Sequence, residues 1–190
     1  MKRLLAMALL TLCMAGCGGS TSYSTMDFFA EAFTFEMNME DDMLMFEEST
    51  TLTAKGQQVV PKQLLCTTLK NVSVSIKLYR QETAWEALPY DVDATAINND
   101  DIWKQAIETT VQTMTDAAKP TLQELTIDSQ ESVLIATPAT EESGEQFCLM
   151  IRSPDHASFA YIRFLNPDTK QDESLRETIR HIQDTFHWVN

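Results

Sequence analysis

Two stretches of helical periodicity bracket four short strand-like runs in this chain, and that order restricts the fold more than any other feature. The runs cover residues 122–127, 132–137, 146–152 and 158–165. The second and third flank a polar loop around Gly144, which predicts a hairpin. Upstream, residues 33–39 and 72–79 alternate apolar and polar positions with the period of a strand, and 43–53 continues as another. The alternation in 72–79 is strict and predicts one buried face made of Val72, Val74, Ile76 and Leu78.

The first helical stretch follows Asn98, Asn99, Asp100 and Asp101, all suited to helix starts. Trp103, Ile107, Val111, Met114 and Ala118 then recur at spacings of four, four, three and four, one apolar stripe, until Pro120 stops it. The second stretch, residues 172–188, carries a stripe of Leu175, Ile179, Ile182, Phe186 and Val189. Asp172 and Glu173 suit its positive end, and Glu173–Arg176 and Glu177–Arg180 are spaced as ion pairs. Strands, a helix, a run of strands and a closing helix predict an α+β domain: an antiparallel β-sheet with two main helices packed on it.

Glycine supports this reading. Beyond Gly19 only Gly56 and Gly144 occur, both in polar contexts that read as turns, and the prolines fall between periodic segments. No internal repeat or second domain boundary is visible.

The first residues have a different character. Lys2 and Arg3 precede an apolar run over 4–12, then Ala15, Gly16 and Cys17. This is the layout of a secretory signal, and the run is shorter than the ~20 residues that span a bilayer. Met14-Ala15-Gly16-Cys17 resembles the bacterial lipobox, usually Leu-Ala/Ser-Gly/Ala-Cys, with Met14 where leucine is commonest. The resemblance implies cleavage before Cys17, lipid attachment to its thiol, and anchoring by the acyl chains. An unlipidated secreted product cut near Gly19 and an uncleaved anchor are the other readings. Residues 1–16 are then a signal peptide, 17–26 a lipidated cysteine with a flexible tether, and 27–190 a single globular domain. Gly18 stands where an aspartate would retain an enteric lipoprotein in the inner membrane. The expected location is the bacterial cell envelope, on the outer membrane facing the periplasm.

Removing residues 1–16 leaves 12 basic and 28 acidic residues, a net charge of −16. That balance argues against nucleic acid and against direct contact with an anionic membrane surface. It leaves a basic or cationic partner open. Cys66 and Cys148 remain as a possible disulfide, worth about 4–5 kcal/mol if formed, or as two separately buried thiols.

The order of elements behind a lipoprotein signal resembles the PsbP-like α/β sandwich, and the DcrB-type lipoproteins. Residues 32–37 are similar to the family's early strand, 122–165 to its antiparallel meander, and 174–188 to its C-terminal helix ending on an aromatic. The resemblance implies a binding or accessory role, without a common enzyme activity.

Four features could carry chemistry. Met37, Met39, Met43 and Met45 form two Met-x-Met pairs around an acidic turn. Thioethers suit Cu(I), and alternate residues of a strand point the same way; the same sulfurs also serve as adaptable core filler. Residues 18–54 carry eight acids and no base, which reads as a solvated face or a cation surface. Asp91 and Asp93 begin like a calcium loop, but Ala96 and Ile102 stand where glycine and glutamate are needed. Asp100 and Asp101 are expected to cap a helix. His156, His181 and His187 lack metal-pair spacing and read as surface residues. There is no Gly-x-Ser-x-Gly elbow and no phosphate-cradling loop. The expectation is an envelope lipoprotein without enzyme activity or cofactor, held at the membrane by lipid and serving an envelope protein partner. The alternatives are a copper-handling lipoprotein or a hydrolase built from residues distant in sequence.

Overall fold

The computed structural model describes residues 23–29, 31–38, 44–49, 61–67, 72–80, 97–114, 118–168 and 172–189. In chain order the elements are β1 (Tyr23–Phe28), β2 (Phe33–Asn38), β3 (Leu44–Ser49), β4 (Pro61–Thr67) and β5 (Ser73–Arg80). Helix α1 (Asn99–Thr113) precedes β6 (Thr121–Ile127), β7 (Gln130–Thr137), β8 (Gln146–Arg152) and β9 (Ser158–Leu165). Helix α2 (Glu173–Thr185) and the short β10 (His187–Trp188) close the chain. The α+β class is as expected. Among the described residues all strand pairs are antiparallel, in two sheets ordered β1-β2-β10 and β3-β4-β5-β9-β8-β7-β6.

The central strands of the large sheet are covered on both faces. Phe147, Leu149 and Ile151 of β8 and Ala160, Ile162 and Phe164 of β9 meet α2 and the small sheet. Cys148 and Met150 of β8, with Phe159 of β9, meet α1 on the opposite face. A central strand buried on both faces needs no polar alternation, and β8 accordingly reads as the apolar run Phe147–Cys148–Leu149–Met150–Ile151. Strand β5 follows its expected pattern at Val72, Val74 and Ile76; Leu78 is half-buried at the end, and Tyr79 is buried on the α1 side. The hairpin of β7 and β8 around Gly144 also forms. A Cβ at Gly144 would lie 2.0 Å from the Asn166 carbonyl oxygen, so the chain there admits no larger residue.

Helix α1 starts as expected. The Asn98 side chain accepts from Asp101 N and donates to Asp101 Oδ2, both at 2.9 Å. Its buried face is rotated from the expected stripe. Ile102, Trp103, Ala106, Thr110 and Met114 are buried, while Ile107 and Val111 sit at the margin. Thr110 is tolerated inside because its hydroxyl donates to the Ala106 carbonyl at 2.8 Å. The helix ends at Thr113, before Ala118 and Pro120.

Helix α2 buries Leu175, Ile179 and Ile182, and Phe186 follows at its cap. The expected last member, Val189, is 45% exposed, because the chain has left the helix and β10 pairs with β2. The expected i,i+3 ion pairs give way to longer ones. Arg180 donates to Glu173 at 2.6 Å, and Arg176 to Glu145 at 2.7 Å. Glu145 is fully buried and also accepts from Asp172 N at 2.9 Å, which ties the start of α2 to β8.

Three expectations need correction. Tyr23–Phe28 is a strand paired with β2, so the expected tether yields residues 23–26 to the domain. The Tyr23 ring stacks on His181 of α2 at 3.7 Å. Cys66 and Cys148 are not bonded: Cys148 is free and buried. Cys66 lies on β4 and Cys148 on β8, with β5 and β9 between them. Three strand spacings are about 14 Å, whereas a disulfide needs Cα atoms within about 7 Å. Met37 is packed in the core at 2% exposure, alongside Phe33 and Phe35 on the same face of β2. Its sulfur faces apolar side chains, where an ion would have no solvent path.

Candidate functional site

Helix α1 packs on β7, β8, β9 and β5 but leaves β6 uncovered. A groove of about 770 Å³ results, open along one side. Trp103, Lys104, Ile107 and Glu108 of α1 form its wall, and Leu122, Glu124 and Thr126 of β6 and Glu131 and Val133 of β7 form its floor. Leu122 is 46% exposed there. Glu108, Glu124 and Glu131 outnumber Lys104, so the groove is acidic.

The floor is held at its far end. Asp128 and Ser129, with φ of 50° and 63°, make the two-residue turn between β6 and β7, a conformation that matches strand twist. The Asp128 carboxylate accepts from Trp188 N at 2.8 Å and contacts His187 Nδ1 at 3.2 Å. The turn is thereby fastened to β10 of the small sheet.

Behind the wall lies a buried cation. Arg152, 4% exposed, donates to Glu131 at 3.0 Å and pairs with Asp100 in the first turn of α1. Its guanidinium lies 6.0 Å from the centre of the Trp103 ring, which also meets Phe159 edge-on at 5.5 Å. The Arg152 hydrogen bond and charge hold the Asp100 carboxyl below the usual carboxylate range. Glu131 thus belongs both to the groove floor and to the ion pair that sets the position of α1. Trp103 Nε1 and Arg152 Nε are buried without a hydrogen-bond acceptor.

The residues singled out from sequence are not brought together. Cys17, Met39 and Met43 lie outside the described residues, as do Asp91 and Asp93. Met37 is in the core, and Met45 and Cys66 are register partners on β3 and β4. Each histidine has its own carboxylate: His181 meets Glu36 at 3.0 Å, His187 meets Asp128, and His156 Nδ1 is 4.0 Å from Asp100. His181 is half-buried, against the surface reading. Cys148 lies beneath α1 beside Tyr161, and burial pushes its thiol up to about 12. Burial raises the Tyr161 hydroxyl as well. Among the described residues no group of three His, Cys, Asp or Glu side chains is arranged to hold a metal, and no helix is long and apolar enough to cross a membrane.

The groove residues were present in the sequence reading only as members of strands and a helix stripe. Arg152, a lone cation ending the apolar run of β8, was the available signal for the buried ion pair.

No protein-family model matches the chain, and no curated protein sequence does. Solved structures do. The solution structure of cyanobacterial PsbP from Synechocystis sp. PCC 6803 superposes with a TM-score of 0.50 at 10% identity, covering 93% of this chain and 99% of that one. The Ran-binding protein Mog1p of Saccharomyces cerevisiae superposes with a TM-score of 0.50 at 13% identity, covering 90% and 97%. The chain therefore has a PsbP-like fold, shared with Mog1p.

Proposed function

We propose that this chain is a lipid-anchored binding or assembly accessory of the bacterial cell envelope, without catalytic activity, and that it holds its partner in the groove between α1 and β6. The observation that carries the partner site is the groove itself, an open surface of mixed polar and apolar residues between α1 and β6. The fold is compatible with it, since one protein of the same fold is described as binding Ran. A hydrolase with Cys148 as its nucleophile is disfavoured, because that thiol is sealed and held protonated. A copper carrier is disfavoured by Met37, whose sulfur is packed against phenylalanines.

Two experiments test the reading. Cys17→Ser should move the protein from the membrane fraction to the soluble periplasm; a variant that stays with the membrane sinks the anchor. A photo-crosslinker at Leu122, on the groove, should capture one envelope protein that the same crosslinker at Ser24, on β1, does not. Equal labelling from both positions sinks the groove.

A further inference from the structure

The outer edge of β6 stands beside the groove. Strand β6 ends the seven-strand order, and among the described residues nothing pairs with its outer side. Ile127 and Gln130 close the two-residue turn as a hydrogen-bonded pair, so bonds to β7 recur at Leu125, Gln123 and Thr121. The backbone N–H and C=O groups of Leu122, Glu124 and Thr126 therefore point away from the sheet. The side chains of these three residues face the groove. An incoming chain can thus bond to the edge and place alternate side chains over the same floor.

Resting on the groove as the partner site, we propose that its occupant is an extended, basic polypeptide segment that adds to the large sheet as a strand beside β6. Main-chain bonds would supply affinity, and the groove would select side chains. Charge decides the class. Glu108 and Glu124 face the groove against Lys104, Glu131 there being already paired with Arg152, within a chain of net charge −14 as written. Lysine or arginine at alternate positions would meet these carboxylates, with an aliphatic residue against Leu122 and Ile107. The edge is long enough, because β6 runs seven residues without a proline or bulge. Trp103 adds to the match: it lines the groove at 2% exposure with its Nε1 lacking an acceptor.

The probe is a synthetic heptapeptide alternating lysine and valine, with two controls: the same peptide N-methylated at every second residue, and a glutamate–valine peptide. Titration of the full chain without its signal should show binding of the lysine peptide, with amide shifts at Leu122, Glu124 and Thr126. N-methylation should weaken it about tenfold or more, because backbone bonds are lost while charge is kept. Glu124→Lys should weaken it similarly, and the glutamate peptide should not bind. Equal binding of the N-methylated peptide overturns strand addition, as does self-association of the chain through β6 in sedimentation. If no peptide binds but the Leu122 crosslink still captures its envelope protein, the groove stands and the strand-adding basic occupant falls. If the peptide binds β6 but no crosslink forms, the edge is competent and the envelope-accessory reading falls.

Discussion

Arg152 at the end of β8 and Asp100 in the first turn of α1 form an ion pair across the layer boundary, with the arginine buried and the aspartate 64% exposed. The pair ties the first turn of α1 to the end of β8. Arg152 has a second acid partner, Glu131, so removing one acid should cost less than removing both. Asp100→Asn alone leaves Glu131 in place and is expected to cost little, as for other solvent-screened pairs. Asp100→Asn with Glu131→Gln leaves a buried guanidinium without a counter-charge and is expected to cost about 3 kcal/mol. Arg152→Met should cost less than the double variant. Urea unfolding of the three proteins checks the order.

The same pair predicts an acid dependence. The Asp100 carboxyl is depressed by Arg152. Its contribution is therefore present above the unfolded value of about 3.9 and lost as pH falls through the lower folded value. Stability measured between pH 5 and pH 2 should fall less steeply in Asp100→Asn than in the parent. Parallel curves would show that Asp100 carries none of the acid sensitivity.

Gly144 is expected to be intolerant of any side chain. A methyl group there would meet the Asn166 and Asp168 carbonyl oxygens at 2.0 and 2.4 Å, and both are backbone atoms that cannot swing aside. Gly144→Ala should cost about 2 kcal/mol or more. Amide exchange at Asn166, whose N–H donates to the Glu145 carbonyl at 3.0 Å, should accelerate. A melting temperature within a degree of the parent would contradict this.

The Cys148 thiol should resist alkylation by iodoacetamide in the native protein and react once denaturant is added. Burial holds it protonated, with a value of about 12. Peptide mass mapping before and after unfolding reads this directly. Reduction should leave gel mobility unchanged; labelling of Cys148 in the native state would contradict the packing under α1.

Tyr23 should fasten the start of β1. Its ring stacks on His181, which in turn meets Glu36 of β2. Tyr23→Ala is expected to cost about 0.5–1.5 kcal/mol and to raise exchange at the β1 amides first. Unchanged protection at Thr25 would show that the stack does not hold the strand.

Much of the architecture was legible because burial writes a period into the chain. Strand β9 matches the run at 158–165, and α2 shows its stripe from Leu175 to Phe186, since each element has one dominant buried face or is buried throughout. Legibility failed where a residue's environment depends on a distant neighbour. Val189 continues the helical spacing but is exposed, because pairing with β2 draws the chain out of the helix. Residues 23–26 are polar enough to read as tether, yet β2 offers them a partner edge.

The sequence by itself determined the α+β class, the central strands, the buried face of α2 and the acidic charge, all of which follow from local periodicity and composition. Only the tertiary structure decided that Cys66 and Cys148 lie three strands apart, that Met37 faces the core, and that Glu131, Arg152 and Asp100 meet from three elements. It also decided that α1 stops short of β6 and leaves a groove beside an open edge. The reason is physical: strand order and helix placement are set by which faces bury one another, and no spacing within a single element records which neighbour it will meet.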